Sequence, residues 1–131
     1  RKVPFIGYTC ALMGHIYVDR KNRQAAQKTM QQAGAKLTGG ISVLFFPEGT
    51  RHTGTGLLPF KKGAFKMAQS LVLPILPVII KGAEQVMPAK SLRILPGTIE
   101  LVFQPPISAE TVKGKSTDDL IQLSRSLLHT E

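Results

Sequence analysis

A carboxylate and a guanidinium lie three residues apart in the segment PEGTR, directly after the apolar run ISVLFF. Between Glu48 and Arg51, Gly49 lets the backbone approach a ligand closely and Thr50 offers a hydroxyl group. The planar fork of an arginine matches a phosphate with two parallel hydrogen bonds, and hydrogen bonds to charged groups contribute roughly 1.5–3 kcal/mol. The segment therefore predicts a site for a phosphate-bearing ligand.

A second arginine, Arg20, follows a strand predicted over residues 14–20. Ligands of open α/β sheets bind beyond the carboxyl ends of the strands, so neighbouring strands would bring Arg20 and Arg51 to one anion. The residues leave an alternative open. In that alternative Arg51 pairs with Glu48 on a solvated turn, and Arg20 belongs to a basic helix start.

The segments around these side chains alternate between strand-like and helix-like patterns. Alternating or continuous apolar runs predict strands, and Ala/Gln-rich or amphipathic stretches with caps predict helices. The strands are predicted over 14–20, 41–46, 75–80 and 99–104, and the helices over 22–34, 61–71 and 116–129. The order β-α-β-α-β-β-α predicts an α/β fold, a single-domain sandwich over residues 1–131 with a largely parallel sheet flanked by helices.

The charge of the chain predicts an anionic partner. Lys and Arg number 17 against 8 Asp and Glu, and residues 1–93 hold 14 of the basic side chains and 3 of the acidic ones. Such a positive field suits nucleic acid, an anionic membrane or a phosphorylated substrate. With no Trp, 2 Tyr and 6 Phe, mostly in apolar runs, the chain offers few stacking platforms for bases. We therefore expect no nucleic-acid partner.

Cysteine usage and hydropathy set further bounds. Cys10 is the single cysteine, which excludes an internal disulfide and a zinc site built on several cysteines, and suits a reducing, cytoplasmic compartment. The longest apolar run, at 71–80, is too short to cross a bilayer. We expect no bound metal.

Several ordered motifs carry a family resemblance. FFPEGTR followed by LLPFKKGAFKMA, with GHIYVDR upstream and LPILPVII downstream, resembles the glycerophospholipid acyltransferases, in particular the 1-acylglycerol-3-phosphate acyltransferases of bacterial type. The similarity extends from about Val3 to about Pro106. It implies transfer of a fatty acyl group from acyl-CoA or acyl-carrier protein to the free hydroxyl of a lysophosphatidic acid, giving phosphatidic acid, with no other cofactor.

The resemblance also implies which residues bind the substrate and where the protein acts. The substrate-binding residues that it implies are Arg20, Glu48, Gly49, Thr50 and Arg51. The implied location is the cytoplasmic face of the membrane, where the lysophospholipid, the acyl donor and the membrane surface are the partners. A non-catalytic module that binds anionic lipid through the same arginines is the alternative.

One family block has no counterpart in the chain. The family pairs a histidine with an aspartate five positions later, and the histidine acts as general base toward the acceptor hydroxyl. No histidine here has that spacing, and His15 and Asp19 on a strand would be separated by roughly 13 Å. We expect the block upstream of Arg1, so the domain is expected to be N-terminally truncated and to contain no catalytic residue within residues 1–131.

Three lysines follow the Glu48 segment. Lys62 and Lys66 are predicted on one face of the helix over 61–71, with Lys61 beside them. They predict a solvated basic face, or alternatively a contact with the anionic membrane or an acidic acyl carrier.

Overall fold

The computed structural model describes residues 41–50, 56–89, 91 and 93–129, together with positions 8, 9, 12, 24, 29 and 34. The chain forms two compact units, Arg1–Leu44 and Phe45–Glu131. In the first unit, Gln24, Thr29 and Gly34 are helical, as predicted for the helix over 22–34. The strand predicted over 14–20 lies outside the described residues, and the single domain over 1–131 stays a prediction.

The described part of the second unit alternates short strands with helices. In chain order the elements are α1 (Gly63–Leu71), β1 (Val78–Lys81), α2 (Ala83–Val86), β2 (Glu100–Phe103), α3 (Ala109–Gly114) and α4 (Thr117–Leu128). Helix α1 and strand β2 fall within predicted segments, and β1 extends one residue beyond the strand predicted over 75–80. Helix α4 also lies within its predicted range, whereas α2 and α3 were not predicted.

The two strands form an antiparallel pair, with Val78 opposite Phe103 and Lys81 opposite Glu100. It is the only sheet within the described residues, so the expected largely parallel sheet is not confirmed there. The connection between the strands explains the antiparallel direction. A Cβ atom on Gly82, which follows β1, would lie 2.3 Å from the carbonyl oxygen of Thr98, just before β2. The connection therefore leaves and returns at the same end of the pair.

The prediction of a strand over 41–46 is wrong, because these residues have no regular secondary structure. A strand is defined by backbone hydrogen bonds to a neighbour, and an apolar composition does not supply that neighbour. The sharp end of the segment at Pro47 was predicted correctly, because a turn begins there.

The core of the second unit lies between its helices and the segment that precedes α1. Its buried members are Phe60, Phe65, Ala68, Ile107, Val112, Leu120 and Ile121. The stripe predicted for α4 is confirmed, since Leu120 is fully buried and Leu123 and Leu127 pack against the same cluster. Among the described residues, no helix has the length and apolar character needed to cross a membrane.

Candidate functional site

The PEGTR segment begins with a tight turn. The N–H of Gly49 donates to the carbonyl oxygen of Phe46 at 3.0 Å, which closes a β-turn with Pro47 and Glu48 at its centre. Proline suits the first central position because its φ is fixed near the value that the turn requires. Gly49 has a φ of 73°, a left-handed conformation that glycine adopts without steric cost.

Two contacts tie this turn to the segment that leads into α1. The Oε2 atom of Glu48 accepts a hydrogen bond from the N–H of Leu58 at 3.0 Å. The N–H of Lys61 donates to the carbonyl oxygen of Pro47 at 2.8 Å. The carboxylate of Glu48 and the carbonyl of Pro47 thus bind the segment over residues 58–61 to the turn.

Arg125 of α4 binds the backbone of the same segment at Leu57 and Leu58. Its Nη1 donates to the carbonyl oxygen of Leu58 at 2.6 Å, and its Nη2 donates to that of Leu57 at 3.1 Å. The guanidinium carbon also lies 5.1 Å from the centre of the Phe60 ring, within the range of a cation–π contact. Phe60 in turn stacks on Phe65 of α1, so the arginine rests on the aromatic edge of the core.

The residues predicted to bind the substrate are only partly described. Glu48 and Gly49 are half-buried in the turn, and Thr50 beside them is exposed. Arg20 and Arg51 lie outside the described residues. Their convergence on one anion therefore stays a prediction, as does the alternative in which Arg51 pairs with Glu48.

The sequence interpretation did not include Arg125. Its signal in the sequence is its position, four residues after the buried Ile121 on a helix whose other charged side chains are acidic. A basic residue at such a spacing lies near the core-facing side of the helix. The backbone atoms that accept its hydrogen bonds have no signal in the sequence.

The predicted basic face is modified by an ion pair. Lys61, Lys62 and Lys66 are all exposed, but the Nζ of Lys62 lies 2.6 Å from Oδ1 of Asp118 on α4. The two side chains are 55% and 71% exposed, and exposed pairs of this kind contribute about 0–1 kcal/mol. Lys62 is therefore partly neutralised, whatever the basic face contacts.

A shallow cleft of about 480 Å³ lies between residues 57–62 and α4, with Phe60, Ile121 and Arg125 in its wall. No residue of the Glu48 turn lines it, so the turn is a separate feature. Within the described part of the chain, no group of His, Cys, Asp and Glu side chains is arranged to hold a metal ion.

Comparisons with known proteins agree on one family. A family model described as Acyltransferase matches residues 1–81. The 1-acyl-sn-glycerol-3-phosphate acyltransferase alpha of Mus musculus is 36% identical over 126 residues, which are 95% of this chain and 43% of the mouse protein. The 1-acyl-sn-glycerol-3-phosphate acyltransferase of Haemophilus influenzae is 46% identical over 78 residues, which are 59% of this chain and 32% of that protein.

A solved structure has a similar fold. The crystal structure of the 1-acyl-sn-glycerophosphate (LPA) acyltransferase PlsC from Thermotoga maritima matches with a TM-score of 0.76 and 25% sequence identity. The match covers 98% of this chain and 50% of the Thermotoga chain. This chain thus spans half or less of the length of these relatives.

Proposed function

The chain belongs to the acyltransferase family, whose model matches residues 1–81, and from this membership we propose that it forms part of a 1-acylglycerol-3-phosphate acyltransferase. The proposed enzyme transfers a fatty acyl group to the free hydroxyl of lysophosphatidic acid and produces phosphatidic acid. The observation that carries the proposal is the hydrogen-bonded Glu48 turn, after which Thr50 and Arg51 follow in the sequence, in a chain related to enzymes named for this substrate.

The proposed role of the loop is to bind the phosphate of the acceptor. Arg51 follows in sequence the turn whose backbone is held by the hydrogen bonds of Gly49, Glu48 and Pro47. We assign phosphate binding to Arg51 together with Arg20, because a guanidinium binds phosphate bidentately. A substrate held by its phosphate presents its hydroxyl at a fixed position, and such positioning is a large part of catalysis.

The chemistry proposed for the complete enzyme is a direct acyl transfer. A histidine oriented by an aspartate accepts the hydroxyl proton, and the hydroxyl oxygen attacks the carbonyl carbon of a thioester. The tetrahedral intermediate then expels the thiolate, which takes up the proton. No histidine of residues 1–131 has an aspartate five positions later, so this proposal assigns the pair to residues outside 1–131.

The acyl donor and the location belong to the same proposal. Acyl-CoA and acyl-carrier protein are both thioesters that suit this chemistry, and the cytoplasmic face of the membrane supplies the lysophospholipid. The exposed Lys61 and Lys66 and the positive excess over residues 1–93 support a contact with an anionic surface.

We also extend the proposal to the fold, in which a largely parallel sheet is covered by helices on both faces. Paired residues of β1 and β2 place Ile80, Leu101 and Phe103 on one face of the sheet, and all three are exposed. Apolar faces of sheets are normally packed against another layer. The exposed face thus supports a sandwich that contains more than the described pair.

An acyl-transfer assay on the full-length protein tests the function. Lysophosphatidic acid should be acylated, whereas monoacylglycerol, which lacks the phosphate, should react far more slowly. The variant Arg51→Ala should raise the KM for lysophosphatidic acid by about tenfold or more, as expected for the loss of a charge-assisted bidentate contact. Binding of lysophosphatidic acid without any acyl transfer would instead indicate the non-catalytic lipid-binding module.

A further inference from the structure

We infer that Arg125, in α4, is a positioning residue that fixes Leu57 and Leu58 against the Glu48 turn, the segment to which phosphate binding is assigned above. This inference rests on the proposed function, since it assigns a purpose to the loop that the proposal assigns to the phosphate. It concerns a residue in the last helix, outside residues 1–81 that the family model matches.

The contacts of Arg125 are directed at the backbone of the loop. Both of its terminal nitrogens donate to carbonyl oxygens, at 2.6 Å to Leu58 and at 3.1 Å to Leu57. A rigid planar fork that binds two consecutive carbonyl oxygens restrains the position and also the orientation of that backbone. Lysine, with a single ammonium on a flexible chain, cannot reproduce this arrangement.

Leu58 connects the arginine to the Glu48 turn. Its carbonyl oxygen accepts from Arg125 at 2.6 Å, and its N–H donates to Oε2 of Glu48 at 3.0 Å. One residue therefore joins α4 to the turn through two hydrogen bonds on its own backbone. The N–H of Leu58 also shares one planar peptide group with the carbonyl of Leu57, which accepts from Nη2 of Arg125 at 3.1 Å. If that peptide group moves, the carboxylate of Glu48 loses its hydrogen-bond donor.

The loop is restrained at two other points, which makes the effect of Arg125 specific. The N–H of Lys61 is bound to Pro47, and the ring of Phe60 is buried against Phe65. Removal of the guanidinium leaves these restraints in place. Leu57 and Leu58 then lose the restraint that holds them beside Glu48, while the core beneath Phe60 is retained.

This arrangement predicts a defined kinetic signature for Arg125→Gln in the full-length enzyme. The KM for lysophosphatidic acid should rise by about tenfold, since two charge-assisted hydrogen bonds are lost. The KM for the acyl donor and the activity toward monoacylglycerol should change by less than about twofold, because neither uses the phosphate loop. Arg125→Lys, which keeps the charge but not the fork, should show an intermediate rise.

The matched control is Asp118→Asn, on the same helix and beside the same loop. It removes the exposed ion pair with Lys62 and leaves Arg125 intact. Its KM for lysophosphatidic acid should equal that of the wild type. Thermal unfolding of all variants shows whether a kinetic change follows a loss of folded protein.

Each outcome of the experiment has a defined meaning. If the wild-type enzyme transfers no acyl group to lysophosphatidic acid, the proposed function fails. If the wild type is active but Arg125→Gln lowers the rates with both acceptors equally, or if neither Arg125 variant folds, Arg125 is a structural residue and the inference is overturned. A selective rise in the KM for the phosphorylated acceptor, with the folded fraction unchanged, supports it.

Discussion

The carboxylate of Glu48 accepts a hydrogen bond from the backbone N–H of Leu58, ten residues further along the chain, at 3.0 Å. A carboxylate repels a phosphate, so a role in direct contact with that group would be electrostatically unfavourable. As an acceptor for the backbone N–H of Leu58, the same carboxylate has a structural role that requires no contact with a phosphate. The structure thus offers a physical reason for an acidic residue inside a motif predicted to bind phosphate.

Replacement of Glu48 separates these two roles. Glu48→Ala leaves the half-buried N–H of Leu58 without its acceptor, which should lower the free energy of unfolding by about 1–3 kcal/mol and raise the KM for lysophosphatidic acid. Glu48→Gln retains an oxygen that can accept the bond, so both quantities should be closer to those of the wild type. Denaturant unfolding measures the free energy of unfolding, and steady-state kinetics measures the KM for lysophosphatidic acid. Equal losses for the two variants would show that the charge itself is required, and would argue against a loop-shaping role.

The parts of the fold that depend on local sequence could be predicted. The apolar stripe of α4 follows from the spacing of leucines in its own sequence. The start of the helix is fixed by Ser116, whose Oγ accepts from the N–H of Asp119 at 3.1 Å. The antiparallel direction of β1 and β2 could not be predicted in this way. It depends on the path of residues 82–99, which return to the end of β1 where Gly82 meets Thr98.

The same distinction applies to the candidate site. The chain reversal at Pro47 and Gly49 is encoded in consecutive residues, so the end of the apolar run at Pro47 could be predicted, whereas phosphate binding there stays a prediction. The hydrogen bond from Arg125 to the carbonyl oxygen of Leu58 joins residues that are 67 positions apart. Its acceptors are backbone carbonyl groups, which every residue carries, so no side-chain pattern marks the contact.

Gly49 should not tolerate a side chain. Its φ of 73° lies in the left-handed region, where a residue with a Cβ atom costs about 1–2 kcal/mol more than in the right-handed region. Gly49→Ala should therefore lower stability by that amount and weaken the binding of lysophosphatidic acid, as measured by thermal unfolding and calorimetric titration.

Gly114 provides the control for this glycine. It is the last residue of α3, and a Cβ atom there would meet no atom within 4 Å. Gly114→Ala should leave binding unchanged and stabilise the protein by up to about 1 kcal/mol, because alanine has the higher helix propensity. Equal effects of the two substitutions would contradict the assigned role of the Gly49 conformation.

The ion pair between Lys62 and Asp118 should contribute little to stability. Both side chains are more than half exposed, and a double-mutant cycle with Lys62→Gln and Asp118→Asn should give a coupling energy below about 1 kcal/mol. The coupling should fall further when the ionic strength is raised, because salt screens exposed charges. A coupling that is large and insensitive to salt would mean that the pair is buried in the complete protein.

Leu120 should be the most sensitive apolar position of α4. It is fully buried, and it contributes to the cluster that contains Phe60 and Val112. Leu120→Ala should lower the free energy of unfolding by about 2–5 kcal/mol, because the substitution loses buried apolar surface and leaves a cavity. The exposed Gln122 on the same helix is the reference, and Gln122→Ala should change the free energy by no more than about 0.5 kcal/mol.

Because the buried cluster also supports Phe60 under Arg125, Leu120→Ala should lower activity with every acceptor in proportion to the loss of folded protein. A selective loss with lysophosphatidic acid alone would show that the core, and not the arginine, sets the shape of the loop.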